Sequence, residues 1–263
     1  MAIIEKTGEF SNRFSRWNAN EDLAGYPFIT NTHAPFTPLL RALPMMNLAL
    51  ITSAGAYIDG TDPFDLDSRD GDINFREIPV EVGPEDLRYA VKGYDPSAVL
   101  EDRNTQIPID RLTEYQANAV IGMLNNTWWS LSSWIPNARL VADELAPKLA
   151  DRLHRYEVQA ALLIPAGRLC HQTMGLIARG IEETGIPTMT LSVDSLMTDR
   201  VRPPRTAYYK GEFGSVAGKP NFREYQLRVL DESIRWIETF DQPGARRLAV
   251  NLETEVEAAR GER

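Results

Sequence analysis

The sequence carries one cysteine in 263 residues. A lone thiol cannot close an internal disulfide, so no secreted disulfide framework holds this chain, and the cytoplasm is the expected setting. Histidine is scarce as well: His33, His154 and His171 are the three in the chain. None of them pairs with another, or with Cys170, at a ligand spacing, so no metal motif is present. No apolar run approaches the roughly 20 residues that a membrane-spanning helix needs. The opening Met-Ala-Ile-Ile-Glu-Lys lacks the charged-then-apolar pattern of a signal peptide. Positive charge is in deficit, with 28 Lys and Arg against 37 Asp and Glu. The resulting net charge of -9 argues against binding nucleic acid or docking on an anionic membrane. A Walker loop, a Gly-x-Ser-x-Gly elbow and a Gly-x-Gly-x-x-Gly turn are all missing. No cofactor is therefore evident.

What is present suits one sizeable core, with 43% hydrophobic and 25% charged residues. Residues 1–44 show little periodicity and contain Pro27, Pro35, Pro38 and Pro44. They read as an irregular arm with aromatic anchors, packing on its own domain or on a partner subunit. Residues 45–263 read as a single α/β domain. Met46–Thr52, Asn74–Val80, Leu87–Val91, Val158–Ile164, Pro187–Val193 and Thr206–Tyr209 are short apolar strand candidates. The spacing of Leu140, Val141, Leu145, Leu149 and Leu153 predicts a helix over 138–155. Further helices are expected from Arg111 and over 171–184, 221–240 and 245–257, with Gly185 ending the second of these. The strand–helix–strand order around residue 170 implies a parallel pair with a right-handed crossover. The fold class is α/β: a doubly wound, mostly parallel sheet flanked by helices.

Two other stretches stand out. Asp59, Asp62, Asp65, Asp67, Asp70 and Asp72 suggest a calcium loop, but counting from Asp65 puts Arg69 at the fifth position and Arg76 at the twelfth. Those positions require an oxygen ligand and a glutamate, so a solvated acidic loop is expected. Trp128, Trp129 and Trp134 lie in a stretch read as a loop. Tryptophan is enriched at interfaces, so an oligomer contact is the favoured reading, ahead of a ring-stacking platform.

The stretch that gathers chemistry is Ala160–Arg179: a buried strand, a loop with Gly167, and a helix that opens near Cys170. In such sheets, reactive groups sit at the carboxyl edge. The dipole and free N–H groups of a helix start lower a thiol pKa. Arg168 adds positive charge, His171 offers a base and Thr173 a hydroxyl. Against this, a lone cysteine is commonly a small buried apolar residue. Thr52, Ser53 and Gly55 follow the first strand of the domain. Such a turn either lets the backbone approach a ligand or simply reverses the chain. Arg200, Arg202 and Arg205 either grip a carboxylate bidentately or form a solvated basic turn.

Thr52–Gly55, Phe75-Arg-Glu-Ile-Pro79, Ile107-Pro-Ile-Asp-Arg-Leu112, Cys170-His-Gln-Thr-Met-Gly-Leu-Ile-Ala-Arg179 and Glu183-Thr-Gly-Ile-Pro187 resemble the selenoprotein B family of glycine, sarcosine, betaine and D-proline reductases. The resemblance runs from about residue 46 to about residue 240. It implies a selenocysteine or cysteine that attacks a substrate carbon and displaces an amine, placed shortly before a second cysteine. In shorter relatives the first of these lies three residues before the second. Here that position is Gly167, and Cys170 stands at the second. Family histidines expected ahead of Tyr94-Asp95 and at Asn125 and Asn126 are absent as well.

Two functions follow from this reading. One is a thiol-dependent oxidoreductase acting on a small polar, amino acid- or carboxylate-like substrate, including reductive C–N or C–heteroatom cleavage. Cys170 and His171 are its catalytic candidates. Thr52, Ser53, Gly55, Gly167, Arg168, Gln172, Thr173, Arg202 and Arg205 are its substrate-binding candidates. With one cysteine, such an enzyme needs an external thiol or a partner protein as reductant. The other is a non-catalytic binding or partner subunit, in a homo-oligomer or in a hetero-complex with a related subunit.

Overall fold

The computed structural model describes residues 2–250. In chain order come α1 (Thr7–Phe14), β1 (Asn47–Thr52), β2 (Ala56–Ile58), β3 (Arg76–Pro79), β4 (Leu87–Tyr89), α2 (Ser97–Glu101) and α3 (Ile109–Ala117). Then follow β5 (Met123–Leu124), β6 (Thr127–Ser130), α4 (Ala138–Leu140), α5 (Ala146–Arg155), β7 (Ala160–Ile164) and α6 (Arg168–Glu183). The described chain closes with β8 (Thr188–Ser192), α7 (Ser195–Val201), β9 (Arg205–Tyr208), α8 (Arg223–Thr239) and β10 (Gly244–Arg247). A π turn over Val141–Leu145 joins α4 to α5, so the apolar stripe expected over 138–155 forms one helix.

The main sheet runs in the order β10-β9-β8-β7-β1-β6-β3, with β5 beside β1. All its pairings are parallel except β3 with β6. From β1 the chain first builds towards β6, then returns to the other side of β1 with β7 and continues outward to β10. The direction of winding thus reverses between β1 and β7, where a doubly wound sheet opens its crevice.

Both faces of the sheet are covered, which is why the strands read as continuous apolar runs. Ala49, Ile51, Trp129, Ala161 and Leu163 face a core shared with α5, α6 and the N-terminal arm. Leu48, Leu50, Trp128, Leu162 and Ile164 face a core shared with α3 and α8. The alternation is the period of two that a strand imposes. Gly185 ends α6 with φ +91°, as its position suggested.

Several expectations need correction. The tryptophan stretch is not an exposed loop: Trp128 and Trp129 lie in β6, and they and Trp134 are buried within the chain. They are not available for an oligomer contact. Residues 244–247 form β10 rather than the start of a helix, and 251–257 lie outside the described residues. The arm is irregular apart from the two turns of α1. It packs on its own chain through Phe10, Phe14, Trp17 and Tyr26, whose rings lie 5.0–6.4 Å apart. Buried Arg179 binds it down by donating to the carbonyls of Ala2, Ile3 and His33. No described helix is long and apolar enough to cross a membrane.

Candidate functional site

The crevice between β1 and β7 is lined by the turns that leave these two strands. Ser53 N–H donates to Ile164 O at 3.2 Å, and Ser53 Oγ accepts from Ala166 N–H at 3.1 Å. Thr52 Oγ1 accepts from Ala54 N–H at 3.2 Å. Gly55 has φ +72°, and a Cβ there would overlap Ala90 O. This turn needs glycine for packing against the end of β4. Gly167 caps α6, which puts Cys170 in the first helical turn, as the sequence suggested.

The electrostatics of that cysteine reverse the expectation. Its thiol donates to Ser133 O at 3.2 Å and lies 3.8 Å from Ser53 O, and the residue is 2% exposed. Burial pushes the thiol pKa up, outweighing the lowering by Ser53 and by the backbone N–H groups of Gly167 and Ala166. A helix start lowers a thiol pKa only while water or a cation can also attend the thiolate. At neutral pH Cys170 is a protonated thiol facing carbonyl oxygens.

His171 is equally committed. Its Nδ1 lies 2.7 Å from Gly167 O, and Nε2 accepts from Val193 N–H at 3.1 Å. These partners fix the Nδ1–H tautomer and leave no ring nitrogen for Cys170. Burial lowers its pKa to about 4, so the imidazole is neutral. Arg168 turns outward to Asp194, 3.0 Å away, and its guanidinium lies 5.8 Å from the Phe213 ring. Gln172 donates to Tyr26 Oη at 2.8 Å and accepts from Ile29 N–H at 2.8 Å, so it anchors the arm. Thr173 is buried on α6.

Arg202 and Arg205 are not brought to this place. Arg202 donates to Thr32 O, and its carbonyl accepts from Arg179, nine residues beyond Cys170 on α6. Arg205 is fully buried against Glu182, twelve residues beyond Cys170, which at 1.5 Å per residue is about 18 Å along the helix. The sequence could not separate them, because β9 begins at Arg205 and carries it to the opposite edge of the sheet.

The crevice also has a roof that no sequence pattern announced. A Cβ on Gly167 would stand 2.7 Å from Gly93 O and 3.4 Å from Tyr94 Cβ. Tyr94 Oη donates to Ala54 O at 2.7 Å, and burial raises its pKa well above the usual phenol value. From the other side, Gly214 N–H donates to Ala166 O at 2.9 Å. Its Cα packs so closely on Asp95 O that a side chain would overlap it. Phe213 meets the His171 ring edge-on at 5.5 Å. Glycines at 93 and 214 were the only signal, and a loop glycine has many possible causes.

Comparison with known proteins gives this site a context. The sequence pattern of the glycine/sarcosine/betaine reductase selenoprotein B family matches residues 16–166, ending one residue before Gly167. D-proline reductase subunit gamma of Acetoanaerobium sticklandii is 28% identical over 200 residues, covering 76% of this chain and 81% of that protein. Glycine reductase complex component B subunit gamma of Symbiobacterium thermophilum is 27% identical over 176 residues, 62% of this chain. Sarcosine reductase complex component B subunit beta of Peptoclostridium acidaminophilum is 24% identical over 173 residues, 64% of this chain. The chain spans 38% of the length of each of these last two. No solved structure matches.

Proposed function

Because the chain belongs to the glycine/sarcosine/betaine reductase selenoprotein B family, we propose that it is a subunit of a multi-component reductase that contributes the family scaffold and not the attacking nucleophile. The observation that carries this reading is Gly167. It stands where the resemblance implies a selenocysteine or cysteine, and the backbone of Gly93 fills the space a side chain would need. The relatives are themselves named as reductase subunits. In this reading a partner subunit supplies the nucleophile and the electrons.

A second reading keeps Cys170 as the nucleophile of a thiol-dependent reductase for a small amino acid- or carboxylate-like substrate. Its support is the place of the thiol at the winding reversal, beside the N–H groups of Ala166 and Gly167. It requires the roof to lift and an external reductant. Alkylation of native protein by iodoacetamide separates the two, since Cys170 is the sole thiol. We expect labelling about a hundred-fold or more slower than in the denatured chain, because only open conformers react. The Cys170→Ala variant is expected to keep any reductase turnover measured with the partner subunits. Prompt native labelling with a midpoint below the free value of about 8.5, together with lost turnover in Cys170→Ala, overturns the subunit reading in favour of the second.

A further inference from the structure

A second crevice on the same edge of the sheet stands open where the first is closed. A cavity of about 560 Å³ lies beyond the carboxyl end of β9. One wall is α2, with Ser97, Ala98 and Glu101. The other is the segment from Tyr209 to Phe222 and the first turn of α8, with Lys210, Glu212, Lys219 and Tyr225. We propose that this cavity binds a small aromatic acid carrying an N–H or O–H donor, and that the bound acid holds the roof over Cys170 closed.

The ligand class follows from the lining. Tyr209 and Tyr225 have ring centroids 6.5 Å apart, and Phe222 lies 5.8 Å from Tyr225 with 45% of its surface exposed. Tyr209 and Tyr225 are buried beneath the cavity, so the exposed ring of Phe222 is the face that suits a flat ligand, by offset or edge contact. Lys219 Nζ stands 5.1 Å from the Tyr225 ring centroid, and Lys210 lines the same wall. Lys219 places positive charge beside the ring position, for a carboxylate or a phosphate. Glu101, held by Asn221 Nδ2 at 2.7 Å, and Glu212 also line the cavity. Their carboxylates accept a hydrogen bond from an N–H or O–H on the ligand. The volume falls within the 300–1,000 Å³ usual for organic ligands and far exceeds what a bare inorganic ion fills.

The coupling follows from shared walls. Tyr94-Asp95 roofs the first crevice and leads directly into α2 of the second. Phe213-Gly214 roofs the first from within the segment that lines the second. The cavity is present with Gly214 seated on Ala166 and Asp95, so an occupant that fits it binds the closed arrangement. Opening is then disfavoured by the factor 1 + [L]/Kd, about eleven-fold at ten times Kd.

The test uses 4-hydroxybenzoate and 4-hydroxyphenyl phosphate as the acids and 4-hydroxybenzylamine as the charge-reversed control, with binding read by calorimetry. Roof opening is read by hydrogen exchange of residues 211–218, with β7 as the reference for global opening, and by the rate of Cys170 alkylation. The expected result is that at least one acid binds and the amine does not. At ten times Kd, exchange of 211–218 and alkylation both slow about eleven-fold, beyond any change in β7. Lys219→Glu and Phe222→Ala each weaken binding about ten-fold or more, and Lys219→Glu reverses the preference between acid and amine. The proposal is overturned if neither acid binds at millimolar concentration. It is equally overturned if the amine binds as well as the acid, or if an acid binds while 211–218 exchanges no more slowly than β7. None of these outcomes depends on whether the protein is a scaffold subunit, because the readout is local opening and not turnover.

Discussion

The two ends of α6 bury polar side chains in different ways. At the amino end, Cys170 and His171 are buried as neutral groups: burial raises the thiol pKa and lowers the imidazole pKa. At the carboxyl end, Glu182 and Arg205 are buried as an ion pair. Glu182 accepts from Arg205, from Thr188 N–H at 2.7 Å and from Thr37 N–H at 2.6 Å, and the Arg205 guanidinium lies 4.0 Å from the Phe36 ring centroid. A thiol or a neutral imidazole enters a dry crevice at modest cost. A charge does so only where partners are built around it, and the arm supplies them at Thr37. Two places that looked like ligand sites in the sequence are therefore both closed, one by neutrality and one by internal pairing.

Three experiments break or sharpen this comparison. The largest effect is expected at the charged end. Glu182→Ala leaves the Arg205 guanidinium buried without its carboxylate and should cost about 3–5 kcal/mol in urea unfolding. A loss below about 1 kcal/mol would mean that water reaches Arg205 and that the two ends do not differ as described.

The neutral end should show itself through pH. His171 titrates near its usual value of about 6.5 when unfolded and at about 4 when folded. Between these values the unfolded chain binds a proton that the folded chain refuses, so stability rises with pH across the window. The contribution is fully present above about 6.5 and is lost as pH falls towards 4, amounting to about 3 kcal/mol. Carboxylates with lowered pKa, such as Glu5 at about 2, add to the slope at the lower end of this window, where their unfolded forms begin to protonate, so the His171 contribution is read as a difference. Unfolding free energies at pH 7 and pH 4.5, compared with His171→Asn, read the effect directly. An unchanged slope in the variant would remove His171 as its source.

The smallest effect tests the roof. Gly167→Ala puts a Cβ 2.7 Å from Gly93 O and should cost about 1–3 kcal/mol through overpacking. Because Cys170 remains the sole thiol, the same variant should label faster than wild type. Unchanged stability and unchanged labelling would show that the Gly93-Tyr94 segment yields without exposing the thiol.

The neutral end of α6 was partly legible. Strand, glycine loop and helix gave Cys170 its place in the first turn, and the strand ends brought Ser53 and Gly167 beside it. The sequence did not show that Gly93, Tyr94, Ser133 and Gly214 would converge from distant segments and remove water. A thiol pKa depends on that removal, so its direction came out opposite to the local expectation. The charged end was not legible at all, because the pairing of Glu182 with Arg205 crosses 23 positions and needs the arm as third partner.

By itself the sequence determined the layered architecture. Two-sided apolar strands and striped helices are periodic, and periodicity is a local property of the chain. It located the strand, glycine loop and helix that carry the lone thiol, and it led to the family through short blocks of residues. Where periodicity failed, it failed for a physical reason. Trp128 and Trp129 face opposite sides of the sheet and are both buried, so β6 shows no alternation. β10 reads Gly-Ala-Arg-Arg and is held by its pairing with β9 and by Arg246, which donates to Thr239 O at 2.9 Å and lies over the Phe240 ring. Tertiary structure alone decided which crevice is closed and which is open, because closure depends on where loops of no fixed pattern come to rest.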